Sequence, residues 1–291
     1  MDLSSEWIVI RQMALLSGIE PVWYDCCINS CVAYTQQYTD LRKCPLCDQD
    51  PFGSNGKARK VFGYLPLIPR LQGFFQNPKM VKKLSYRHRY VHTPGSISDV
   101  FDSQSYRQLL RKEVVVDGEV LPHHFFLGKY DISISICLDA FLLFQQKQGG
   151  PSATPILLQN YNLPPEIHTH LGNLICLGLI PGPSGPKDLQ SFLVPFNAEC
   201  AKLAHGVRTF DSVSLDSFYL RAYNLFGLGD MVAIAKMLGI KGHNGFSPCH
   251  SCEIKGVRDV SGGGTIYYVP LRHPDIAGEP PRSWDPESLP L

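Results

Sequence analysis

Two close cysteine pairs near the start of the chain, Cys27-x3-Cys31 and Cys44-Pro45-Leu46-Cys47, constrain its fold more than any other feature. Twelve residues separate the pairs, enough chain to fold back so that each pair occupies two vertices of one tetrahedron. Thiolates suit Zn²⁺, and closed four-sulfur sites are structural rather than catalytic. A bound ion with ~2.3 Å Zn–S bonds requires the four sulfurs to converge to within ~4 Å of one another. Cys26 is a spare that could substitute for Cys27. The competing reading is four buried thiols without metal. A redox site fits less well, because a redox Cys-x-x-Cys needs no second pair.

The remaining cysteine usage agrees with metal binding. The chain holds ten cysteines in 291 residues. Its first residues, MDLSSEWIVIRQMALL, place Asp2 and Glu6 before a short apolar stretch broken by Arg11, unlike a secretory leader. No apolar run approaches the ~18–20 residues that cross a bilayer. An intracellular, reducing setting is expected, where thiols bind metal or are buried rather than pair. A second cluster, His243-x5-Cys249-x2-Cys252, has only one Cys-x-x-Cys. It needs a fourth ligand, such as His250, and reads equally well as a metal-free turn.

Hydrophobic residues make up 44% of the chain and charged residues 18%, which is enough to build a sizeable core. The formal net charge is +1, so nucleic-acid binding requires a local basic patch rather than a global field. The basic run Lys79, Lys82, Lys83, Arg87, His88, Arg89 is one such patch, or else a solvated helix face. It follows VFGYLPLIPR, a strand or turn, in a segment whose apolar side is Leu67, Leu71, Phe74 and Phe75. Residues 1–20 predict a short helix, and 93–129 a polar connector with one helix from Tyr106 to Glu113. From residue 130 the texture changes. YDISISICLDAF, PILLQNYNLPPEI and NLICLGLIPGP predict three strands. DLQSFLVPFNAECAKLAHGV predicts a helix carrying Phe192, Leu193, Phe196, Cys200 and Leu203 on one face. SFYLRAYNLFGLGD predicts a further strand and MVAIAKMLGI a short helix. That order fits an RNase H-like α/β sheet, and other α/β folds as well.

Two acids end strands in this reading, Asp139 after DISISICL and Asp230 after YLRAYNLFGLG. Carboxylates at the ends of neighbouring strands can hold Mg²⁺ or Mn²⁺ through oxygen and support two-metal phosphoryl transfer. An Asp after a strand is also an ordinary turn former or helix cap. Asp131, Asp188 and Asp211 compete on the same grounds.

Several blocks together resemble one family. They are YDCCINSCVAYTQQYTDLRKCPLC, VFGYLPLIPRLQGFFQNPKM, DISISICLDAFLLF, NYNLPPEI, CLGLIPGPSGPKDLQSFLVPF, GVRTFDSVSLDSFYLRAY, GDMVAIAKMLGIKGHNGFSPCHSCEIKGV and YYVPL. In that order they resemble CACTA/EnSpm (Tnp2-like) DNA transposases, closest to the fungal Plavaka-type group. The resemblance implies a small zinc ribbon (1–55), a basic helical connector (56–129) and an RNase H-like catalytic domain with a His/Cys insertion (130–291). It assigns structural Zn²⁺ to Cys27, Cys31, Cys44 and Cys47, and the insertion to His243, Cys249 and Cys252. Catalytic Mg²⁺ or Mn²⁺ falls to Asp139 and Asp230. The implied partners are the DNA of transposon ends, contacted by Lys79, Lys82, Lys83, Arg87 and Arg89, with self-association and no membrane. The implied compartment is the nucleus, or the cytoplasm for a non-catalytic remnant.

The sequence departs from the family in three places. Asp139-Ala140-Phe141 stands where the family usually has Asp-Gly-Phe, and Met231-Val232 where it has a residue pair ending in proline. The family's Asp-x-x-His motif and last glutamate have no counterpart among Glu279, Asp285 and Glu287. A chain short of the third carboxylate is expected neither to cleave nor to join DNA by itself.

Overall fold

A computed structural model describes residues 6–142, 152–183, 185–242, 245–250, 254–258 and 267–268. The chain divides into two compact units, Met1–Leu228 and Gly229–Leu291. In the first, helix α1 (Glu6–Ser17) precedes strands β1 (Val22–Asp25) and β2 (Val61–Tyr64). Three short helices follow, α2 (Ile68–Phe74), α3 (Pro78–Leu84) and α4 (Tyr86–Arg89), then α5 (Gln104–Leu109). Strands β3 (Glu113–Val116) and β4 (Glu119–His124) form a hairpin. The main run continues with β5 (Ile132–Leu138), β6 (Phe141–Leu142), β7 (Ser152–Asn160), α6 (Pro165–His168), β8 (Ile175–Pro181) and α7 (Gln190–His205). A second hairpin, β9 (Val207–Asp211) and β10 (Asp216–Leu220), leads into β11 (Ala222–Leu228).

The central sheet is mixed, in the order β1-β2-β8-β7-β5-β11, with β6 added to β7. Strands β5, β7 and β8 form an antiparallel meander; β11, arriving after α7, lies parallel to β5. A parallel partner needs such a crossover connection. Strand β5 is buried on both faces. Ile132, Ile134 and Leu138 are inside, and so are Ser133 and Ser135 between them. Asn162 fixes the neighbouring chain: its side-chain oxygen accepts from Ser133 N, while its amide donates to Leu84 O and Asp131 O. The sheet also depends on Gly178, the partner of Tyr64 on β2. A Cβ there would lie 2.5 Å from the Gly63 carbonyl oxygen.

Two hairpins depart from the expected elements. The polar connector contains β3 and β4, joined by Asp117-Gly118. Both residues have positive φ, 49° and 85°, as a two-residue type I′ turn requires. SFYLRAYNLFGLGD is two strands. β10 pairs with β9 and β11 with β5, the break falling at Arg221. The basic helical segment is likewise divided. Asn77 caps α3 by accepting from Lys79 N and Met80 N, and Pro78 follows as a helix-starting residue.

The second unit holds α8 (Met231–Met237) and a short antiparallel pair, β12 (Val257–Arg258) with β13 (Tyr267–Tyr268). Phe246 packs edge-on against Tyr267 there. Among the described residues, no helix is long and apolar enough to cross a membrane.

Candidate metal centre

Cys27, Cys31, Cys44 and Cys47 come together, with all four sulfurs within 4.8 Å of one another and the Cys27 and Cys47 sulfurs 3.4 Å apart. These separations bracket the spacing of about 3.8 Å that four ~2.3 Å bonds in a tetrahedron impose, and the upper limit of 4.8 Å is wider than the ~4 Å a bound ion requires. Two tight turns do the positioning. Ser30, at φ 57°, donates its N–H to Cys27 O, and the Asp48 N–H donates to Cys44 O. Cys26 is excluded from the set. It forms a bridge to Ala33, donates its N–H to Lys60 O, and lies fully buried. Burial pushes its thiol up to about 12.

The four sulfurs share a balance of charge. Burial, then hydrogen bonding to Cys47, raises Cys31 to about 12, and burial also raises Cys44. Burial opposes ionisation of Cys47 too, but the Gln49 N–H and the side chains of Cys27, Cys44 and Asn29 bring it down to about 6. One thiolate is easy to make, and further ones repel it unless a cation joins them. The donor set fits zinc. Tyr34 supports the fit. Its hydroxyl is buried without a hydrogen-bond partner, and its ring packs against the cluster.

The module is fastened to α7. Pro195 has no N–H, so it leaves the Ser191 carbonyl without its helical donor. The Thr35 hydroxyl fills that gap at 2.7 Å, and the Ser191 hydroxyl accepts from Ala33 N at 2.9 Å. The Asp188 N–H donates to Cys31 O at 2.9 Å.

The carboxylates lie elsewhere. Asp139 follows β5 and is exposed. Strand β11 runs beside β5 with Leu228 paired to Cys137, so the two strands finish at the same edge of the sheet. Asp230 comes two positions after Leu228, is exposed, and caps α8 by accepting from Ala233 N at 2.7 Å. The competitors are structural: buried Asp131 accepts from Gly128 N, and buried Asp211 from Val213 N and the Ser214 hydroxyl. Asp188 is half-buried and accepts from Gln190 N just ahead of α7. Of the second cysteine cluster, Cys249 is half-buried and His250 exposed, while His243 and Cys252 lie outside the described residues.

Of the basic run, Lys79, Lys82, Lys83, His88 and Arg89 are exposed. Arg87 is not. It is buried, with Nε donating to Asp131 O, Nη1 to the Tyr106 hydroxyl and Phe126 O, and Nη2 to Gly128 O and Lys129 O. Its guanidinium lies over the Phe126 ring. All five donors are occupied, which leaves none for a phosphate. Glu199 was not singled out by sequence. It accepts from the Tyr64 hydroxyl and from Leu67 N and Ile68 N at the start of α2.

A mixed sheet with acids following its strands, and four cysteines close enough to hold a metal ion, describe an α/β protein with a candidate metal centre. The family model for the transposase family tnp2 matches residues 117–273, and the chain belongs to that family. The match begins at the Asp117-Gly118 turn and spans Asp139, Asp230 and the His243–Cys252 run. No curated protein and no solved structure matches the chain.

Proposed function

We propose that this chain is a transposase-like protein of the CACTA/EnSpm, Plavaka type, built on an RNase H-like sheet, in a family whose intact members cut and join DNA at transposon ends in the nucleus, and that this chain by itself does not cleave DNA. The supporting observation is the parallel pairing of β5 with β11, which ends the two strands before Asp139 and Asp230 at one edge. An antiparallel meander, a helix and a fourth strand parallel to the first is the order expected of such a sheet. Asp139 and Asp230 are hard oxygen donors and fit Mg²⁺ or Mn²⁺. Such ions, when bound, polarise the scissile phosphate and lower the pKa of an attacking water. The chain's own contribution is one carboxylate directly after β5 and another two positions after β11. Cys27, Cys31, Cys44 and Cys47 hold a structural Zn²⁺, and Lys79, Lys82, Lys83 and Arg89 contact phosphates.

The test is strand cleavage of transposon-end DNA with Mn²⁺. The parent chain by itself is expected not to cleave; in a parent that does, Asp139→Asn and Asp230→Asn are each expected to lower cleavage about a thousandfold, about 4 kcal/mol of transition-state stabilisation. Cleavage that survives both substitutions overturns the assignment. The capping bond from Ala233 N to Asp230 favours a second reading, in which Asp230 is structural and the chain binds DNA without cutting it. DNA binding by a parent protein that takes up no Mn²⁺ at Asp139 and Asp230 would select that reading.

A further inference from the structure

A cleft of about 260 Å³ opens where α4 and α5 meet, lined by Arg87, His88, Tyr90, His92, Tyr106 and Arg107 among others. Arg107 is exposed, and its Nη1 lies 3.0 Å from His92 Nε2. A guanidinium can only donate, so Nε2 accepts and the imidazole proton resides on Nδ1. That proton is donated to Asp102 Oδ1 at 2.6 Å. Asp102 is buried and anchored, its other oxygen accepting from the Tyr90 hydroxyl at 2.6 Å and from Ser98 N at 2.7 Å. Three side chains thus form a line from a buried carboxylate, through a neutral histidine, to an arginine at the mouth of a cleft.

This arrangement differs from an ion pair. Arg107 is held by a neutral acceptor, and no carboxylate among the described residues lies within ion-pairing distance of it. Its charge is therefore positioned without a direct ion pair, the Asp102 carboxylate standing beyond the imidazole. Buried Arg87 also lines the cleft, its donors occupied by carbonyls and a phenol and its charge facing Asp131. The rings of Phe101 and Tyr106 form an apolar wall, which focuses the field toward the opening. The lining offers arginine and histidine but no asparagine or glutamine, the residues that read adenine edges.

We propose that this cleft is a phosphate pocket that grips one phosphodiester of the DNA backbone. Arg107 makes the contact, and His92 and Asp102 are positioning residues. The proposal rests on the DNA-binding reading above. It adds a specific grip to the diffuse contacts of Lys82, Lys83 and Arg89, and it predicts no preference among DNA sequences at this point.

The experiment is binding of a short labelled duplex to the whole chain, followed by fluorescence anisotropy over a salt series. Arg107→Ala is expected to weaken binding about tenfold and to lower the salt slope by about one. Arg111→Ala removes the same charge from an exposed residue outside the cleft and is expected to change affinity less than about twofold. His92→Phe removes the prop and keeps the arginine, so affinity falls while the slope stays near the parent value. A merely structural histidine would not separate those two readouts. Equal effects of Arg107→Ala and Arg111→Ala overturn the pocket and leave general DNA binding standing. A parent chain that does not bind the duplex overturns both readings.

Discussion

The cysteine cluster and the strand-end carboxylates are both sites read from sequence, and the protein builds them in opposite ways. The four sulfurs are drawn together by tight turns, and the module that carries them is fastened to α7 by Thr35 and Ala33, so the donor set belongs to the packed core. Asp139 is an exposed acid following a strand, and Asp230 is an exposed acid capping a helix. A soft-ligand structural centre contributes to folding, whereas strand-end carboxylates gain a second role only when ions and substrate phosphates complete the set. Position in the fold matters for the first through burial, and for the second through which strands are neighbours.

The largest expected effect follows from that contrast. On the order of 10 kcal/mol of zinc binding is linked to folding at such centres. Chelation, or Cys44→Ser, is therefore expected to lower Tm by more than about 10 °C. Cys26→Ser should leave zinc stoichiometry, measured by elemental analysis, at the parent value. Zinc lost from Cys26→Ser and kept in Cys27→Ser would reverse the ligand assignment. Next in size is the fastening itself. Thr35→Val leaves the Ser191 carbonyl without a donor and should cost about 1–3 kcal/mol, read from urea midpoints at saturating zinc.

The carboxylates should respond differently. Asp230→Ala loses the α8 cap and about 1 kcal/mol, while Asp230→Asn keeps the cap and loses the charge. Asn is thus expected to preserve Tm; a loss of Tm as large as that of Ala would break the separation between capping and charge. The smallest effect concerns pH. Burial, with Arg221 as the next cause, holds His123 below the ordinary histidine value, and burial does the same at His168. The folded state then binds fewer protons than the unfolded chain as pH falls below about 6.5. Stability should be level above that pH and decline beneath it, with a shallower decline in His123→Gln. A chain more stable at pH 5.5 than at 7.5 would show the sign to be wrong.

The legible parts of the sequence were those fixed by local pattern. Cysteine spacing announced the cluster, the run DISISICL announced β5, and the apolar face of α7 carried Phe192, Leu193, Phe196 and Leu203 into the core. The β3–β4 hairpin was equally local: Asp-Gly between the runs EVVV and EVL is a hairpin signal, set inside a connector that is otherwise polar. The break at Arg221 was not local. Two strands joined without a turn residue read as one until their partners, β9 and β5, are known. Arg87 shows the same dependence on partners. Its place in a basic run pointed outward, and the carbonyls of residues 126, 128, 129 and 131 drew it inward.

The proline in α7 also bears on the order in which the chain can fold during synthesis. A helix that omits one of its own donors cannot complete its first turns from within. Its missing donor, Thr35, lies 156 residues nearer the N-terminus and leaves the ribosome long before Ser191 does. Translation therefore delivers the turns that gather the thiols first and the helix that relies on them second, so the surface against which α7 closes is made before α7 itself.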